Sequence, residues 1–188
     1  MAAEREIIEE AYAGDIIGVF DPGIFSIGDT LCAPGKKFRF DPIPTFAPEH
    51  FRRVRSLDTM KRKQFLKGME QIAQEGAIQI FKTPYTGMEE VIVGVVGTLQ
   101  FDVLEYRLKN EYNVELYMEG LPYEYLRWIR SADGEPVKEE DLILGTDVKL
   151  VEDYKGNQLL LFGSQWAIGW TQERNRDLTF YEFGGGIA

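Results

Sequence analysis

Apolar and polar positions in the middle of the chain follow first the period of a strand and then that of a helix. Residues 91–96 form a dense β-branched run that favours a buried strand, and Gly97 permits the reversal that must follow it. Beyond Thr98, a candidate N-cap, apolar side chains recur at steps of three and four residues. The predicted helix has a buried face made of Leu99, Val103, Leu104 and Leu108. Asn110 and Asn113 bracket the end of this helix, and residues 114–118 alternate as the next strand.

The same order of elements occurs once before this segment. Residues 51–55 alternate as a strand, and a helix is predicted from Asp58 or Thr59 to Glu75. Gly76 suits the end of that helix, because glycine adopts the left-handed conformation without steric cost. Residues 77–81 then alternate again. Two such halves predict an α+β fold with a ferredoxin-like βαββαβ core, in which two helices cover one face of a four-stranded antiparallel sheet.

A β-hairpin is predicted on the N-terminal side of this core. Residues 13–20 and 24–31 alternate between apolar and polar side chains, as half-buried strands do. They are joined by a turn at residues 21–23, where proline presets one dihedral angle and glycine supplies a positive φ.

The last third of the chain predicts a second group of strands with one helix. Strands are expected at residues 126–130, 148–152, 159–162 and 178–183. Residues 137–144 are expected to form a loop or a short helix. Ser164 is the predicted N-cap of a helix that reaches about Asn175. Because Trp166 and Trp170 are spaced like neighbours on one helical face, we expect both indole rings in the core.

Three separated motifs resemble one known family. They are residues 46–58 (FAPEHFRRVRSLD), 63–77 (KQFLKGMEQIAQEGA) and 93–104 (VGVVGTLQFDVL). In this order they resemble the C-terminal part of the bacterial class II peptide-chain release factors, the release factor 3 family, which are translational GTPases related to elongation factor G. Elongation factor G usually has a more polar Gly-x-Gly-Glu-Leu-His-Leu segment where this chain has residues 96–101, so the release factors are the closer match.

The resemblance implies four parts. Residues 1–45 would be the closing strands of the second-domain β-barrel of such GTPases. Residues 46–118 would be the βαββαβ core that corresponds to the third domain of elongation factor G. Residues 119–183 would be an α+β extension of that domain, particular to the release factors, and residues 184–188 a flexible tail.

The resemblance also implies a role in translation termination. The intact parent would bind GTP and magnesium on the ribosome after peptide release and eject the class I release factor, while this C-terminal part contacts the ribosome and transmits the domain motion. The sequence contains no Gly-Lys-Ser/Thr phosphate loop and no Asn-Lys-x-Asp motif, so we expect no GTP binding, no cofactor and no catalysis from this chain itself. A small-ligand-sensing or protein-binding ferredoxin-like module is the alternative, since fold alone does not decide function.

The net charge of −10 opposes binding to nucleic acid, but the distribution of charge changes that conclusion. Residues 36–67 hold ten basic and three acidic side chains, a charge of +7, so the remainder of the chain carries −17. Such a split predicts one surface that meets ribosomal RNA or an acidic protein. Without the resemblance, solvated charges around a strand and a helix would be the favoured interpretation.

The basic side chains of the first core strand and helix are the candidate ribosome contacts. The set is Arg52, Arg53, Arg55, Lys61, Arg62, Lys63 and Lys67. Because alternate residues of a strand face opposite sides of a sheet, we expect Arg53 and Arg55 to share a surface. Arg52 is expected near the rim of the sheet.

The sequence lacks the residues that a histidine-based metal site or a disulfide would need. His50 is the only histidine and Cys32 the only cysteine, so the sequence offers neither a histidine-based metal site nor an internal disulfide. We also expect no metal ion at the acidic residues 139–141. The sequence shows neither a signal peptide nor an apolar run long enough to cross a bilayer, so we expect a cytoplasmic protein that binds neither membrane nor DNA.

Overall fold

Eight strands and three helices make up the described part of the chain. The computed structural model describes residues 7–20, 22, 24–25, 27–40, 46–84 and 90–182. The strands are β1 His50–Ser56, β2 Gln79–Lys82, β3 Glu90–Val95, β4 Leu116–Gly120, β5 Tyr125–Ser131, β6 Val148–Asp153, β7 Gln158–Phe162 and β8 Leu178–Tyr181. The helices are α1 Arg62–Gln74, α2 Leu99–Tyr112 and α3 Gln165–Arg174, with 3₁₀ turns at Thr59–Lys61 and Glu139–Asp141.

The strands form one antiparallel sheet in the order β4-β1-β3-β2-β6-β7-β5-β8. In its first half, α1 follows β1 and α2 follows β3, which together with the order β4-β1-β3-β2 defines a ferredoxin-like unit. The α+β class and the βαββαβ core predicted from the sequence are therefore confirmed.

Both helices of this unit pack on the same face of the sheet. The cluster between them and the sheet contains Val54, Phe65, Met69, Ile72, Ile78, Ile80, Val91, Val93, Val95, Phe101, Leu104, Leu108, Val114 and Leu116. Removal of these apolar side chains from water is the main contribution that stabilises this half of the molecule.

The buried face of α2 differs from the predicted one. Phe101, Leu104 and Leu108 are at most 1% exposed, whereas Leu99 is 76% and Val103 is 49% exposed. At about 3.6 residues per turn, Leu99 and Val103 lie on the side of the helix that is opposite to Phe101 and Leu108. The sheet contacts only one side of α2, and this is the side that carries the phenyl ring of Phe101. The prediction is right for Leu104 and Leu108 and wrong for Leu99 and Val103.

Local backbone geometry and hydrogen bonds set the ends of these helices. Gly76 follows α1 with φ 74°, as predicted, and Asn113 ends α2 with φ 54°. Thr98 does not cap α2 with its side chain. Gln100 Oε1 instead accepts hydrogen bonds from two backbone amides of the preceding turn, at 3.0 Å each.

Arg107 of α2 connects the two helices of the core. Its guanidinium forms an ion pair with Glu75, the residue that follows α1, and a second one with Glu111 at 2.8 Å. The hydrogen bond from Arg107 lowers the pKa of Glu75 below its ordinary value, because it favours the ionised carboxylate.

Replacing Arg107 with methionine is expected to have a smaller effect on stability in acid than at neutral pH. A folded-state pKa below the unfolded one means that ionised Glu75 stabilises the fold above the unfolded pKa, and that this contribution is lost as the pH falls through the folded pKa. The carboxylate is nearly half exposed, so the effect is that of a surface ion pair. Urea unfolding of the Arg107→Met variant and of the original chain, from neutral to acid pH, measures the difference between their free energies of unfolding. A difference that does not change with pH would contradict this role of Glu75.

The second half of the sheet folds back over the first. Among the described residues, the two halves are joined by the pairs Phe81 with Asp153 and Lys82 with Glu152. The face of the first half that the helices leave open meets the second half across a shared cluster, made of Phe51, Phe81, Ile92, Leu126, Trp128, Val151, Leu159 and Leu161. The opposite face of the second half packs against α3. The extension and the ferredoxin-like unit therefore share one core.

α3 begins where the sequence predicts but buries fewer tryptophans. Ser164 Oγ accepts a hydrogen bond from the Ala167 amide at 3.3 Å, which confirms the N-cap. Ala167 and Thr171 are the buried residues of this helix, while Trp170 is half-buried and Trp166 is exposed. The prediction of a core position is wrong for Trp166, because the small Ala167 beside it faces the sheet and turns the indole outward.

The predicted N-terminal hairpin is not formed by the described residues of segment 7–40, since none of them lies in a strand. Nearly all of their side chains are exposed, including those of Ile16 and Phe20. A two-stranded hairpin alone is at best marginally stable in water, because it has no third strand or helix on which to bury its apolar face. Asp21 and Gly23 of the predicted turn, and the predicted tail at 184–188, lie outside the described residues.

Candidate functional site

β1 divides its arginines between the two faces of the sheet. Arg53 and Arg55 lie on the face away from α1 and α2. There Arg53 Nη1 is 3.1 Å from Glu119 Oε2, and the Arg55 guanidinium carbon is 4.7 Å from the centre of the Tyr117 ring. The predicted common surface of Arg53 and Arg55 is therefore confirmed. We call these four side chains the strand patch.

The basic residues of α1 lie on a different surface. Arg62, Lys63 and Lys67 are exposed on the outer side of the helix, because its inner side buries Phe65 and Met69 against the sheet. We call the three basic residues the helix patch.

Two further candidate residues already have structural partners. Lys61 Nζ donates a hydrogen bond to the Asn113 carbonyl oxygen at 2.6 Å, so its charge lies at the C-terminal end of α2, where a cation is favourable. The Arg52 guanidinium carbon lies 4.3 Å from the centre of the Phe101 ring, on the helix side of the sheet. These contacts give both side chains a role within the fold.

The candidate residues thus form two basic surfaces with the sheet between them. The sequence predicted one such surface, and this is wrong for a physical reason. The basic run passes through a strand and then a helix, and the solvent-facing sides of these two elements point in opposite directions. A partner that contacts the strand patch leaves the helix patch open.

Tyr117 and Glu119 belong to the strand patch but were not predicted from the sequence. β4 pairs with β1 in a register that sets Arg53 opposite Glu119 and Arg55 opposite Tyr117. The alternation of β4 contains the signal that could have found them. Leu116 and Met118 face the helices, so the two residues with which they alternate share the face of the arginines.

A cleft of about 930 Å³ lies between the start of β1, the first turn of α2 and the segment 120–127. Two cations in its wall are engaged within the protein, since Arg52 lies over Phe101 and Arg127 forms an ion pair with Glu182 at 3.0 Å. Burial raises the pKa of the Tyr123 hydroxyl in the same wall. What the cleft offers a ligand is therefore a concave surface with aromatic side chains in its wall.

Among the described residues, no group of three or more histidine, cysteine, aspartate or glutamate side chains is arranged to hold a metal ion. In the described ranges, no helix is long and apolar enough to span a bilayer.

Known proteins match this chain over nearly its whole length. The family model described as class II release factor RF3, C-terminal domain, matches residues 40–172. Peptide chain release factor 3 of Symbiobacterium thermophilum is 49% identical over 180 residues, which cover 96% of this chain and 33% of that protein. The proteins of the same name from Gloeobacter violaceus and Listeria monocytogenes are each 44% identical over 95% of this chain and 33% of their own length. The chain spans about a third of the length of these relatives, and it belongs to the class II release factor RF3 family, whose C-terminal domain it contains.

Proposed function

We propose that this chain is the ribosome-contacting and motion-transmitting part of a GTPase that acts in translation termination. The observation that carries the proposal is the family match over residues 40–172, together with relatives named peptide chain release factor 3 that are about three times as long. The intact parent would bind GTP and magnesium and promote the dissociation of class I release factors after peptide release. The nucleotide site would lie in the remaining two thirds of the parent.

The packing of the molecule suits the transmission of motion. β1 pairs with β3 on one side and β4 on the other, so a force applied at the strand patch acts directly on the centre of the first half of the sheet. The shared cluster then connects that half to the extension. Closely packed elements move as units and resist gradual deformation, which is the property that a transmitting domain requires.

The two basic surfaces support contact with ribosomal RNA on two sides. The strand patch combines guanidinium groups with a tyrosine ring, and such groups bind phosphates and stack on unpaired bases. In the helix patch, Lys63 and Lys67 present flexible amines, which bind phosphates without preference for a base. A domain inserted between two ribosomal surfaces would use both patches.

Reversal of charge in the strand patch is expected to weaken ribosome binding and to reduce its dependence on salt. Each cation that neutralises a phosphate contributes roughly 0.7 to 0.9 to the slope of log affinity against log salt. Arg53→Glu/Arg55→Glu should therefore reduce the slope by about 1 to 2. Co-sedimentation of the chain with purified ribosomes over a salt series measures both the affinity and the slope.

Two further variants make this test specific. Lys63→Glu/Lys67→Glu reverses the same number of charges in the helix patch and reports on the second surface. Lys149→Glu/Lys155→Glu makes the matched change in the extension, outside both patches, and should leave the slope at its original value. Equal losses in the strand-patch variant and in this control would contradict the proposal, because they would show attraction by net charge alone.

The cleft at segment 120–127 favours the second candidate function, a small-ligand-sensing or protein-binding module. A ligand that binds only the folded protein raises the melting temperature by mass action, and binding in an aromatic cleft depends little on salt. Thermal melts with a metabolite library at low and high salt distinguish the two functions. A salt-independent shift, with no ribosome binding in the co-sedimentation series, would favour the sensing module.

A further inference from the structure

The chain enters the ferredoxin-like unit through residues 46–49, which are fastened to the sheet just ahead of β1. At one end, the Phe46 carbonyl oxygen accepts a hydrogen bond of 2.7 Å from Gln79 Nε2 on β2. At the other end, the Glu49 amide donates to the Val95 carbonyl oxygen on β3 at 3.0 Å. We call residues 46–49 the anchor segment.

Between these two contacts, Pro48 fills the space that a side chain at Gly94 would occupy. Pro48 is buried. A Cβ atom at Gly94 would lie 2.7 Å from Pro48 Cγ and 2.9 Å from Phe81 Cε2. The proline ring therefore lies directly on the backbone of β3, beside the phenyl ring of Phe81. Because Phe81 belongs to the cluster that the two halves of the sheet share, the anchor segment contacts the junction between them.

The strand to which Gln79 ties the anchor segment is also the strand that joins the two halves. Gln79 and Phe81 lie on the same face of β2, since alternate residues of a strand share a face. β2 pairs with β6 through Phe81 and Lys82. A displacement of residue 46 therefore acts through Gln79 on the strand that carries the second half. Without this hydrogen bond, the displacement would act on β1 and β3, which pair within the first half.

From these contacts we infer that the anchor segment is the point at which movement of the chain before residue 46 enters this domain, with Gln79 as the positioning residue. The inference rests on the motion-transmitting role proposed above and names the entry point of that motion. A pull on residue 46 passes through Gln79 to β2 and from there to β6, so the extension moves with the chain that precedes the core. Pro48 supports the transfer, because its ring bears on Gly94 and Phe81 and leaves the anchor segment little freedom to slide.

The first measurement, on the full chain, shows whether Gln79 holds the anchor segment. Gln79→Met keeps the length of the side chain but removes the donor, so hydrogen exchange at the Glu49 amide should become about two- to tenfold faster. Gln158→Met is the matched control, because it removes a hydrogen bond of the same 2.7 Å length to the Val137 carbonyl oxygen in the extension. It should leave exchange at Glu49 at its original rate. Unchanged exchange at Glu49 in Gln79→Met would overturn the inference.

The second measurement uses the intact parent with ribosomes and separates binding from transmission. Gln79 lies outside both basic patches, so Gln79→Met should leave the ribosome affinity in co-sedimentation unchanged. It should lower the maximal rate at which the class I release factor dissociates by about two- to tenfold. Pro48→Ala, which removes the ring carbon atom nearest Gly94, should lower the same rate. The two substitutions together should lower it by less than the product of their single effects, since both loosen one segment.

The outcomes distinguish this inference from the proposed function. An unsubstituted parent that neither binds ribosomes nor releases the factor would overturn both. An active parent whose maximal rate is the same in Gln79→Met would overturn the inference alone. Equal losses of rate in Gln79→Met and Gln158→Met would also overturn it, because they would show a general loss of stability. A fall in ribosome affinity as large as the fall in rate would assign Gln79 to binding and would likewise contradict its role as a positioning residue.

Discussion

Replacing Leu104 with alanine is expected to lower the free energy of unfolding by about 2–5 kcal/mol. Leu104 is fully buried in the cluster between α2 and the sheet. The substitution removes three carbon atoms from this cluster. The strand residues of the same cluster include Val54, Val91 and Val93, whose branched side chains are stiff and should fill little of the resulting cavity. The cost should therefore include a cavity contribution in addition to the lost transfer free energy.

Val103→Ala is the matched control for this prediction. Val103 precedes Leu104 on the same helix but lies on its solvent side, so truncation should change the free energy of unfolding by only about 0.5 kcal/mol. Urea unfolding of the two variants, compared with the unsubstituted chain, measures both effects. Similar losses in the two variants would show that α2 buries a different face from the one described above.

The same two residues show where prediction from the sequence stops. Apolar periodicity correctly predicted the existence and approximate bounds of α2, because a helix that covers a sheet needs an apolar stripe. This helix, however, has apolar residues on two sides. The periodicity does not state which side the sheet will cover, since that choice depends on how the phenyl ring of Phe101 fits against strands elsewhere in the chain.

The basic residues show a related limit. Strand alternation was sufficient to place Arg53 and Arg55 on one face, because the two-residue period is a local property of the backbone. The division into two surfaces was not visible in a count of charge along the chain, which ignores the direction of each side chain. The contact of Arg53 with Glu119 joins residues that are 66 positions apart, and it follows from the order of the strands.

The ends of the chain show that alternation alone does not make a strand. In the extension, the predicted strands found partners, and β6 and β7 form a hairpin with Gly156 in its turn at φ 85°. In the segment 7–40, equally regular alternation gives no strand among the described residues, because no other part of the described chain pairs with it. Alternation along a segment predicts only that the segment can form a strand. Whether it does depends on a partner strand elsewhere in the sheet.

Replacing Gly94 with valine is expected to lower the free energy of unfolding by about 1–3 kcal/mol or more, through strain at the junction between the two halves of the sheet. Gly94 lies in β3, paired with Phe51 on β1 and Gln79 on β2. A Cβ atom there would lie 2.7 Å from Pro48 Cγ and 2.9 Å from Phe81 Cε2, both far inside van der Waals contact. The proline ring has little freedom to move, so Phe81 must shift.

This shift should also decide where the strain appears, because Phe81 belongs to the cluster that the two halves share. Native-state hydrogen exchange should show that Gly94→Val accelerates the opening of β5 and β7 more than that of α1. β5 and β7 pack on that cluster, whereas α1 packs on the other face of the sheet. Gly169→Ala is the control, since that position is open, and it should stabilise α3 by about 0.5–1 kcal/mol. Equal acceleration in β5, β7 and α1 would mean that the junction opens only with the whole molecule, and that Gly94 does not govern the coupling between the core and the extension.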